Sequence, residues 1–174
     1  IIQHHIFGKD YPVEQVLSEV FKYKLTNDYV DEQLLIEFCT LDTEKFKLKE
    51  DFYVEILNSV ANIIFSHDYS LVLLIFRQLI SAPLNKFGEI LINLFASKAD
   101  AVLVNYFIDV SDSMSLKAIL SLNYKLALNC KIWTSPVETQ CDVIKILSNY
   151  YLADDDKNEC FYADIITLIY NTSQ

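Results

Sequence analysis

Ser70-Leu71-Val72-Leu73-Leu74-Ile75-Phe76-Arg77-Gln78-Leu79-Ile80 is the stretch on which the fold turns. Its apolar residues cover nearly the whole circumference of a helix, broken by Arg77 and Gln78. Asp68 stands in front as an N-cap, and Ser81-Ala82-Pro83 stops the helix and opens the next one. A helix with no polar face is buried on all sides, so this pattern predicts a central helix with Leu74 in the core. Leu71–Phe76 is also the longest unbroken apolar run, far short of the roughly 18–20 residues that cross a bilayer.

Outward from this segment the same spacing repeats. A stripe of Val13, Val16, Leu17, Val20 and Phe21 follows Pro12, and Thr26-Asn27-Asp28 ends that helix and caps the next. Val30, Leu34, Leu35 and Phe38 mark a second helix ending near Thr40, and a polar loop follows from Asp42 to Lys49. A third runs from about Glu50 to Phe65. The fifth carries Leu84, Phe87, Leu91, Leu94 and Phe95, the sixth spans Lys98 to Asp109, and the seventh runs from Ser111-Asp112-Ser113 to about Asn129. Ser135-Pro136-Val137-Glu138 joins an N-cap, a first-position Pro and a capping-box Glu. The eighth helix behind it turns Val137, Cys141, Ile144, Leu147 and Tyr151 to one side, and a ninth covers about Asn158 to Tyr170.

The expectation is an all-α fold of about nine helices, residues 1–174 forming one domain, as an α-solenoid-like array or a compact bundle. Composition agrees. Only 2 Gly and 3 Pro occur in 174 residues, against ordinary levels of roughly 7% and 5%. That leaves little for two-residue hairpins or Gly-rich phosphate loops. Helix starts fall about 14 to 23 residues apart. This outline resembles HEAT and armadillo-type helical arrays, a resemblance of architecture that implies stacked helical pairs and an extended partner-binding surface. The chain opens on Ile1, as expected for a segment of a larger protein.

Charge narrows the partners. The formal net charge is −10, from 24 acidic and 14 basic residues, and Arg77 is the sole arginine. Such a field repels nucleic-acid phosphates and anionic membrane surfaces, and one guanidinium leaves little means of base readout. A protein partner, basic or helical, is expected instead. Asn, Ile, Tyr and Lys abound, a usage that AT-rich coding produces.

Chemistry-bearing patterns are sparse. Cys39, Cys130, Cys141 and Cys160 match no zinc spacing, and three lie in apolar stripes. Free thiols and an intracellular location, cytoplasmic or nuclear, are expected. The sequon Asn171-Thr172-Ser173 lacks a signal peptide. Adjacent His4 and His5 diverge on a helix and do not share a metal, and His67 marks a helix end. Asp154-Asp155-Asp156-Lys157-Asn158-Glu159 lacks the Gly and Glu of a calcium loop. No Walker, Rossmann or zinc-protease pattern occurs. Glu89 and Asp164 are the acids set deep in apolar helices, and neither has an evident partner. No enzyme and no cofactor is expected.

The expected function is a protein–protein interaction scaffold. Its candidate contact residues are Arg77 in its apolar helix, Trp133 before the capping box, Tyr150 beside Tyr151, and the acidic Asp154, Asp155 and Asp156. An alternative rests on Asn85-Lys86-Phe87-Gly88-Glu89, which loosely resembles the Asn-Trp-Gly-Arg motif of the Bcl-2 class. That resemblance implies a helix-binding groove. Phe87 stands for the motif's Trp, and Glu89 for the Arg that pairs with the ligand's acid.

Overall fold

Helices account for the regular structure, and no strand occurs among the described residues. The computed structural model describes residues 31–42, 50–128, 130–131 and 136–152. Within them lie seven α-helices: α1 (Glu32–Thr40), α2 (Glu50–Ser66), α3 (Tyr69–Ser81), α4 (Lys86–Lys98), α5 (Ala101–Asp109), α6 (Ser113–Leu122) and α7 (Val137–Leu152), with a 3-10 turn at Tyr124–Leu128. The helices predicted near residues 13–25 and 158–170 lie outside the described residues. So does most of the loop predicted after Asp42.

Four helices start in the same way. Asp31, Asp68, Asp100 and Asp112 each precede a helix, and each side chain accepts from the backbone N–H three residues on: Leu34, Leu71, Leu103 and Ser115. The carboxylate satisfies an orphan donor and sits at the positive end of the helix dipole. Part of the acidic surplus is therefore structural. The starts at Asp68 and Asp112 match the sequence expectation. The cap of α1 is Asp31, beyond the Thr26-Asn27-Asp28 segment expected to supply it, and Asp100 moves the start of α5 from Lys98 to Ala101 because Lys98 completes the last turn of α4.

The chain forms two compact units, residues 1–94 and 95–174. In the first, α1 and α2 both pack against α3. Its centre is aromatic. Phe38 of α1 stacks on Phe87 of α4 with ring centroids 5.0 Å apart, and Tyr53 of α2 lies 5.4 Å from Phe38 and 5.0 Å from Phe87. All three are buried, and such rings gain from offset or tilted contact beyond the area they bury.

The prediction that α3 is buried on every side is overturned. Val72, Leu73, Ile75, Phe76 and Leu79 are buried, but Ser70, Leu74, Arg77 and Ser81 form an exposed edge, with Leu74 45% exposed. These four stand at i, i+4, i+7 and i+11, one side of a 3.6-residue helix. Apolar character all round permits burial all round, but burial also needs a neighbour on each side.

In the second unit, α5 packs on α6, and α6 packs on α7 and on the 3-10 turn. Three residues, Val110, Ser111 and Asp112, join α5 to α6. Ser111 adopts φ 58°, in the left-handed region. Its N–H donates to Ile108 O, and the Asp112 N–H donates to Phe107 O. This pattern closes the end of α5 in the manner usually served by Gly. Asp112 thus ends one helix with its backbone and starts the next with its side chain. The predicted seventh helix stops at Leu122, well short of Asn129. Asn123 caps it, its N–H on Ile119 O and its side chain donating to Ala96 O at 3.0 Å.

Candidate functional site

A polar constellation centred on Asn85 lies where α4 begins. This start is at Lys86, three residues beyond the predicted Pro83, because Asn85 makes a cap that Ala82 and Pro83 cannot. Its side-chain oxygen accepts from the N–H groups of Phe87 at 2.9 Å and Gly88 at 3.0 Å. Its side-chain amide donates to Phe38 O at 2.8 Å and Leu41 O at 2.9 Å, and its backbone N–H donates to Cys39 O at 2.8 Å. Asn85 therefore starts α4 and closes the end of α1. Gly88 completes the contact. A Cβ there would stand 2.7 Å from Leu84 Cδ2 and 2.9 Å from Cys39 O, so the missing side chain lets the carbonyl end of α1 approach.

In the Asn85–Glu89 segment, Asn85 and Gly88 are thus engaged in packing α4 against α1. Phe87 is in the aromatic core, with Lys86 Nζ 5.1 Å from its ring centroid. Glu89 corrects the expectation of an acid deep in an apolar helix: it is exposed, in the first turn of α4. Asp164 lies outside the described residues.

A second cap is buried. Asp112 and Ser115 are both buried. Asp112 Oδ1 accepts from Ser115 N at 3.0 Å, and Oδ2 accepts from the Ser115 hydroxyl at 2.9 Å. The pair holds the start of α6. No three His, Cys, Asp or Glu side chains among the described residues cluster in a way that would hold a metal ion.

Cys39 is a buried free thiol, and burial pushes its pKa from 9.0 to about 12, so it stays protonated. Cys130 is buried, its Sγ donating to Ala127 O at 3.6 Å; Cys141 is a free, exposed thiol. Cys160 lies outside the described residues. A hydrogen bond from Lys117 holds the Asp142 carboxyl below its ordinary value. The Lys117 Nζ to Asp142 Oδ2 distance is 2.7 Å, and this pair joins α6 to α7.

The part of the predicted α7 stripe whose burial is described lies on the outer side of the helix. Val143 is fully buried, while Val137, Cys141 and Ile144 face outward, Val137 being 71% exposed and Ile144 46%. These three residues at i, i+4 and i+7 share one side of the helix. Val102, Val110, Met114 and Leu122 are further exposed apolar residues of the same unit.

Of the residues singled out from sequence, Arg77 and Tyr150 fall among the described ones. Arg77 is exposed on the outer edge of α3, beside Leu74. Tyr150 falls in the last turn of α7. Trp133, Asp154, Asp155 and Asp156 lie outside the described residues. The outward side of α7 was legible as a stripe, but its sense was not. No helix of the described residues is long and apolar enough to cross a membrane. No protein family, curated protein or solved structure matches the chain.

Proposed function

We propose that this chain is a protein–protein interaction scaffold, a helical segment of a larger assembly that docks a basic or helical partner. The observation that carries the reading is the outward apolar stripe Val137, Cys141 and Ile144 on α7. An apolar i, i+4, i+7 face turned to solvent is the usual complement of a partner helix or apolar groove. Packing of α5 on α6 and of α6 on α7 follows chain order, as in a HEAT- or armadillo-like array. The net charge of −10 favours a basic protein over nucleic acid or an anionic membrane, in the cytoplasm or nucleus.

Affinity capture with the full chain, read by mass spectrometry, identifies the partner. The double variant Val137→Asp with Ile144→Asp then tests the surface. The expected result is lost capture with an unchanged thermal midpoint, because both side chains are exposed. Lysine substitution of Asp154, Asp155 and Asp156 tests the acidic contribution in the same assay. Capture that survives all five changes takes these residues out of the interface, and tight, salt-sensitive binding to an oligonucleotide rejects the reading.

A further inference from the structure

We draw no further inference here: the strongest candidate, the outward apolar stripe Val137, Cys141 and Ile144 on α7, is the surface the proposed function already uses, and nothing in the structure shows what covers it.

Discussion

The side-chain amide of Asn85 donates to the carbonyl oxygen of Phe38 at 2.8 Å, across 47 positions of sequence. With its second bond, to Leu41 O, it satisfies carbonyls that the end of α1 leaves open. Elsewhere Asp caps as well as Asn. Here it should not, because a carboxylate has no hydrogen to give and would face two carbonyl oxygens. Asn85→Asp is expected to destabilise by about 2 kcal/mol or more, no better than Asn85→Ala, given roughly 1–3 kcal/mol for a buried group left unsatisfied. Urea unfolding checks this, and wild-type stability in Asn85→Asp would show that the two amide bonds contribute nothing.

Gly88→Ala is expected to destabilise although it improves helix propensity. Propensity offers about 1 kcal/mol. Against it, the new Cβ meets the Cys39 carbonyl at 2.9 Å, and that carbonyl is backbone held by Asn85. Overpacking of this kind costs about 1–3 kcal/mol. A raised thermal midpoint would show that α1 can retreat freely.

Ser111→Gly should act in the opposite sense. At φ 58° a side chain costs roughly 1–2 kcal/mol, partly offset by the greater freedom of Gly in the unfolded chain. A net gain of about 0.5–1 kcal/mol is expected in chemical denaturation. A loss would show that the Ser111 hydroxyl makes a compensating bond.

Leu74→Ala and Leu79→Ala separate the two sides of α3. Leu79 is fully buried and its truncation should cost about 2–5 kcal/mol; Leu74 is 45% exposed and should cost under about 1 kcal/mol. Equal losses would place both residues in the core.

Cys39 predicts a sign for the alkaline limb. Its thiol ionises near pH 9.0 when unfolded and near 12 when folded. Above pH 9 the unfolded chain therefore sheds a proton that the native state keeps. Stability from this source is whole below pH 9 and is lost as pH rises towards 12, by about 1.4 kcal/mol per unit. Cys39→Ala lacks that slope. The stability gap between wild type and variant should narrow by about 1–2 kcal/mol between pH 8 and 10.5, and a constant gap would overturn the assignment. Iodoacetamide should label native Cys141 well before Cys39 or Cys130.

Local chemistry made much of the fold legible. Scarce Gly and Pro and a 3.6-residue apolar spacing point to helices, and the structure bears out α2 and α3 to within a residue or two at each end. Asp68 and Asp112 were readable as caps because a cap is a contact between a side chain and the backbone three residues on. The Asn content was read as a matter of coding, yet Asn85, Asn105 and Asn123 each bond across long sequence separations: to Phe38, to the Lys131 N–H and to Ala96. Nothing in the neighbouring sequence announces such a bond.

The sequence by itself therefore determined helix type, approximate bounds and several starts, all set by interactions spanning one or two turns. Only the tertiary structure decided which side of each helix is covered. Leu74 and the Val137–Cys141–Ile144 stripe look like core in sequence and lie outside in the fold. Periodicity records that a helix has an apolar side. Whether that side is buried depends on a second element arriving there, and on α7, against which α6 packs, the covered residue is Val143 instead.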